Sequence, residues 1–132
     1  MPIAETDIEL ALKAAVEAGS LSWSIAWPNQ DHNGAKPYIQ CEIVRVNRRD
    51  ETLDGVMPIS RGMLMITTVA ARGTSSRVSN QKADQVADIF PMGRRIPVTG
   101  GQIVIIKPPD VKEGFPQDAD WRTPVQIDYE AS

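Results

Sequence analysis

Few residues in this sequence have the types and spacing that chemistry needs. His32 is the only histidine, and Asp31 stands beside it. An Asp–His pair serves catalysis when the carboxylate orients an imidazole that activates a third, nucleophilic group. Residues adjacent in sequence rarely reach that geometry, and no nucleophile motif accompanies these two. A solvated loop histidine is therefore expected. Histidine- or cysteine-based metal sites need several ligands at fixed spacing, which one His and one Cys cannot supply. Asp110, Glu113, Asp118 and Asp120 form an acidic group without EF-hand spacing and read as a solvated loop. Cys41 lies within Tyr38-Ile-Gln-Cys-Glu-Ile-Val, where a small buried hydrophobe is expected. Being alone, it has no partner for an intramolecular disulfide.

Two segments invite an anion. Arg72-Gly-Thr-Ser-Ser-Arg77 leads into a helical pattern, and helix N-termini attract phosphates. The phosphate-loop spacing is missing, so the plainer reading is a loop with Ser75 or Ser76 as N-cap. Gly93-Arg94-Arg95 offers two guanidinium groups, which more often serve a solvated edge or one half of an interface salt bridge. The net charge of −3 and isoelectric point near 5.1 speak against bulk nucleic-acid binding, which needs concentrated basic surface. No cofactor, metal or catalytic residue is expected, and the chain reads as a non-enzyme.

The elements around these residues follow from periodicity. Thr6 and Glu9 have capping-box spacing, and Ile8, Leu12, Ala15 and Val16 recur on one helical face, which predicts a helix over about 5–18. Gly19 stands where a left-handed C-cap is expected. Residues 21–27 alternate as a strand that Pro28 ends, and 29–36 reads as a loop. Strands are expected over 38–46 and 60–70, the second apolar on both faces and so central. Residues 47–58 between them read as an exposed loop or arm. A second helix spans about 76–90, with Val78, Ala83, Val86, Ala87 and Phe90 as its apolar stripe and Pro91 as its stop. Strands 95–98 and 102–107 flank the hairpin signal Thr99-Gly100-Gly101. An acidic loop covers 108–119, and a half-buried strand runs over 120–130. Pro124 marks that last strand as an edge or a bulge. Trp23, Trp27 and Trp121 are expected to anchor the core.

With 132 residues, 42% apolar and 23% charged, the chain is long enough for one domain, 1–132, without a staple. The fold class is α+β, an antiparallel or mixed β-sheet of five to six strands with two helices packed on one face. No basic stretch followed by an apolar run suggests a secretion signal, and no apolar run approaches the roughly 20 residues of a membrane span. Synthesis in a cytosol and no membrane partner are expected.

The order of motifs then carries a resemblance. A helix ends in Ala87-Asp-Ile-Phe-Pro91, a hairpin follows at Gly100-Gly101, and Val104-Ile-Ile-Lys-Pro-Pro109 comes next. The chain closes on Trp121-Arg-Thr-Pro-Val-Gln-Ile-Asp-Tyr129, and Ile25-Ala-Trp-Pro-Asn29 and Pro37-Tyr-Ile39 agree in the first half. This string resembles the tail terminator-like proteins of long-tailed phages and related gene-transfer particles, over nearly the whole chain. The resemblance implies a homo-oligomer, a hexameric ring. The ring would cap the head-proximal end of the tail tube, end its polymerisation and meet the head–neck connector proteins. DNA would pass through without sequence-specific binding, and the protein would reside in the virion tail after synthesis in the bacterial host cytoplasm. The family has no catalytic residues to carry over.

A closed ring needs a heterologous contact, for which loops longer than a tight turn are natural donors. Arg48, Arg49, Asp50 and Glu51 in the arm, Arg94 and Arg95 after the second helix, and Asp110 and Glu113 in the acidic loop are the candidate assembly residues. Two other readings stand beside this one. The first is a head–tail connector or neck subunit. The second is a small ligand-binding domain with Met57, Met63, Met65 and Met92 around a pocket, although core filling suits those methionines better.

Overall fold

The computed structural model describes residues 3–19, 21, 23–27, 37–50, 58–71, 73, 76–117 and 120–132, without the side chains of 47–50, 58 and 76. The first helix, α1, spans Glu5–Ala18. Its start differs from the expected capping box. Ala4 is the N-cap and makes no side-chain cap bond, while Thr6 already lies inside the helix. Ile3 and Ile8 hold the two positions of a hydrophobic staple and are both buried in the core. Glu5 and Asp7 add negative charge to the first turn, where the helix dipole favours it. Ile8, Leu12, Ala15 and Val16 form the buried stripe as expected.

Three strands follow: β1 (Ser24–Ala26), β2 (Tyr38–Asp50) and β3 (Pro58–Ala71). β1 lies parallel to β2, and β2 pairs antiparallel with β3 from Tyr38↔Val69 to Asp50↔Pro58, with one register shift between Arg45 and Asn47. Both ends of the expected 47–58 loop are thus strand, and residues 51–57 lie outside the described residues. The second helix, α2, spans Ser76–Ile89. Its buried stripe is Ser79, Lys82, Ala83, Val86 and Phe90, whereas Val78 is exposed, contrary to the sequence reading. Lys82 takes an inward position because its ammonium finds acceptors: Nζ donates to the Leu21 carbonyl at 2.6 Å and to Gln85 Oε1 at 2.9 Å.

The remaining strands are β4 (Arg95–Val98), β5 (Gly101–Ile105), β6 (Asp110–Val111), β7 (Phe115–Gln117) and β8 (Asp120–Ala131). β4 and β5 form the expected hairpin, closed by Thr99 and by Gly100 at φ +93°, a conformation that glycine adopts without steric cost. The sheet order is β1-β2-β3-β8-β5-β4, with β6 and β7 also paired to β8. Six strands make the main path of this mixed sheet, and the fold is α+β. The two additional strands are pieces of the 108–119 segment.

β8 is not an edge. It pairs with β3 from Asp120 to Ala131 on one side, and with β5, β6 and β7 on the other. Pro124 fits there for a local reason. β7 covers Asp120–Arg122 and β6 covers Val125–Gln126, so Pro124 falls in the break between them. Its carbonyl accepts from the Lys112 N–H at 2.9 Å. Its nitrogen points to that same side, where no ladder bond is lost.

Both helices cover one face of the sheet. Leu12 and Val16 of α1 and Val86 and Phe90 of α2 meet Ile39, Leu64, Ile66, Ile103, Ile105, Val125 and Ile127 in one buried cluster. Trp23 and Trp27 pack on its margin, and Trp121 is half-buried outside it. Met63 and Met65 are half-buried on the opposite face, and Met92 is 61% exposed. These three methionines do not belong to the buried core cluster, and Met57 lies outside the described residues.

Candidate assembly surface

The candidate contact residues are spread over three places. The backbone of Arg48, Arg49 and Asp50 belongs to β2 and pairs with Ser60, Ile59 and Pro58. The side chains of these three and all of Glu51 lie outside the described residues. What does position this hairpin is a polar cluster at its base, which sequence reading missed. Arg45 Nε stands 3.6 Å from Glu5 Oε2, its Nη2 stands 3.9 Å from Glu9 Oε2, and Ser60 Oγ donates to Glu5 Oε1 at 2.8 Å. Tyr129 crosses the same region opposite Gly62, where a Cβ would come within 2.6 Å of its hydroxyl oxygen. Burial, reinforced by the nearby Glu5 charge, pushes this phenol up to about 12. Helix α1 thereby holds the root of the arm.

Arg94 and Arg95 part company. Arg94 is spent within the chain: Nη1 donates to the Ile89 carbonyl, and the guanidinium lies 5.5 Å from the Phe90 ring centroid. It satisfies a carbonyl that the end of α2 leaves open. Arg95 stays exposed on β4. Asp110 is exposed and sits 3.3 Å from Lys112 Nζ, while Glu113 is exposed without an ionic partner among the described residues. Along β8, the Arg95 row reaches Glu130 through Val104, whereas Glu113 lies near Trp121. Nine strand residues at about 3.3 Å each separate these positions by up to about 30 Å. Arg95 and Glu113 thus lie toward opposite ends of β8, with Asp110 between them beside Gln126.

The acidic end contains a cleft of about 660 Å³, lined by Asn80 and Asp84 of α2, by residues 111–114 and by Trp121. β6 and β7 form a flap that closes over the start of β8. Gly114 lets the flap lie flat, since a Cβ there would sit 2.6 Å from Trp121 Nε1. That indole N–H is buried without an acceptor among the described residues. Sequence reading does not foresee this cleft, because strands of two and three residues show no readable alternation. Val111 and Phe115, both exposed, were the only apolar marks in an acidic segment.

The sites considered for catalysis do not converge. Cys41 is 2% exposed, and burial pushes its thiol up to about 12, which disfavours the reactive thiolate. Asp120 stands 3.4 Å from Arg122. Arg77 lies exposed at the start of α2. His32, Arg72, Thr74, Ser75 and Asp118 lie outside the described residues. Among the described residues no group of three or more His, Cys, Asp or Glu could hold a metal ion, and no helix is long and apolar enough to cross a membrane.

Comparison with known proteins agrees with this architecture. Residues 7–129 match the sequence model of a family described as phage tail terminator protein. Among solved structures, one is similar with a TM-score of 0.82 at 18% identity, over 99% of this chain and 97% of its own. That likeness extends to the fold alone. No curated protein matches the sequence.

Proposed function

Since this chain belongs to the phage tail terminator protein family, a structural family of the virion tail, we propose that it forms a ring at the head-proximal end of a phage-type tail tube. There it ends tube polymerisation and prepares the tail for joining to the head. The family match over residues 7–129 carries this reading. The partners are further copies of the chain, six in a ring, together with the tail tube protein and the neck connectors. DNA passes through the ring without base-specific contacts, in keeping with a net charge of −3.

The distribution of charge supports assembly through unlike surfaces. Arg95 lies at one end of β8, and Glu113 lies toward the other. A heterologous contact that closes on itself needs such a pair. The backbone of Arg48, Arg49 and Asp50 belongs to β2, and these residues with Glu51 are the proposed contacts to a neighbour or the tube. Replacing residues 48–51 by Gly and Ser leaves the domain folded and abolishes tail joining, and normal virions from that variant would remove the arm from the account.

Electron microscopy of particles made without this protein tests the role. Loss of a terminator gives overlong tubes. Tails of normal length that fail to attach to heads would identify a neck connector and contradict termination.

A further inference from the structure

The cleft between α2 and the β6–β7 flap has an apolar wall and a charged rim, and the same chain carries a feature that complements both. On the cleft side, the half-buried Trp121 forms part of the wall. Asp84 and Glu113 are exposed on its rim without ionic partners among the described residues, and Val111 is 39% exposed on the flap. The complement is the turn after α2. It projects Met92, 61% exposed, and Arg95, also exposed. Arg94 holds the turn in shape by its bonds to the end of α2.

We propose that the cleft receives the 91–95 turn of a second copy of this chain. Met92 enters the apolar part beside Val111 and Trp121, and Arg95 faces Glu113 and Asp84. Asp84 and Met92 are eight residues apart, about 12 Å along the helix direction, so one chain cannot seat its own turn in its own cleft. Each copy offers the turn to one neighbour and the cleft to another. This is a head-to-tail contact that generates a ring when the rotation closes. Opposite charges on the two sides fix register and disfavour turn-to-turn or cleft-to-cleft pairing. The inference rests on the ring reading and names the contact within it.

Two measurements test it. The Met92→Cys chain is mixed with the Val111→Cys chain and treated with a short thiol cross-linker, with each chain alone as control. Cys41 is buried and contributes little background. Cross-linked dimers are expected in the mixture and not in either chain alone. Light scattering then follows assembly of Met92→Glu and Glu113→Arg, both on exposed side chains, with folding checked by circular dichroism. Each is expected to weaken association at least about ten-fold. Unmutated protein that assembles, with variants that assemble equally well and a mixture that does not cross-link, overturns the contact and leaves the ring standing. Unmutated protein that never assembles, alone or on tubes, overturns both.

Discussion

A methyl group at position 19 would run into the side chain of Ile89. Gly19 has φ −74° and ψ −5°, which any residue adopts. On backbone grounds alone, Gly19→Ala would gain roughly 0.4–1 kcal/mol. Overpacking against Ile89 costs roughly 1–3 kcal/mol, so the substitution should destabilise the fold, with most of the loss recovered in combination with Ile89→Ala. Denaturant midpoints of the three variants decide this, and a Gly19→Ala chain more stable than the parent would refute the close helix approach. The sequence marked Gly19 correctly as the end of a helix but for the wrong reason. A left-handed cap is a local property, whereas the contact with Ile89 joins residues far apart in the chain. A second residue-scale prediction concerns Asp128. Burial alone would raise its carboxyl, but hydrogen bonds from Gln126 and Lys107, and the Lys107 charge, outweigh it and hold it below the ordinary range. Lys107 Nζ lies 2.9 Å away. A depressed carboxyl contributes stability in full above the unfolded value, about 3.9 for Asp. That contribution is lost as pH falls through the lower folded value. Asp128→Asn should therefore cost less than about 1 kcal/mol at neutral pH, because the pair is partly exposed. It should also flatten the acid limb of a urea-midpoint profile. Parallel profiles for the two proteins would contradict it.

At the scale of elements, the helices, the β2–β3 and β4–β5 hairpins and the long β8 were legible because each carries a full period of alternation or a capping signal. Pro124 points to an edge or a bulge only if its neighbour is continuous, and β8 is neither edge nor bulged, because that neighbour is two short strands with a break opposite Pro124. The short β1 is held by side chains rather than by length. Lys82 Nζ lies 5.2 Å from the Trp23 ring centroid and Lys13 Nζ 5.4 Å from that of Trp27, one lysine from each helix. The stripe of α2 was misread at Val78 and Lys82 because periodicity alone cannot reveal that Leu21 offers its carbonyl to an ammonium. Lys82→Met keeps the apolar stem but leaves that carbonyl unpaired, at a cost of about 1–3 kcal/mol. The expected signature is lower stability with a shift in tryptophan emission as the Trp23 environment loosens. Unchanged stability and emission would show that the lysine does not staple this segment.

For the whole molecule, family membership was readable because the order of motifs spans nearly the entire sequence. The surfaces were not, because a contact surface gathers residues that the fold alone brings together. Arg94 looked like an interface residue beside Arg95, and the structure spends it on the end of α2. Asp110 and Glu113 looked like part of a solvated loop, but Asp110 starts a short strand of a two-stranded flap and Glu113 borders the cleft beneath it. In the proposed role, this protein stops the growth of a tail tube by closing a ring on its end. The direct measurement is electron microscopy of tubes grown from the tube protein with and without this chain. Short tubes that bear a ring of this protein at one end are the predicted result. Tubes of unchanged length with bare ends, or with the protein spread along their walls, would contradict it.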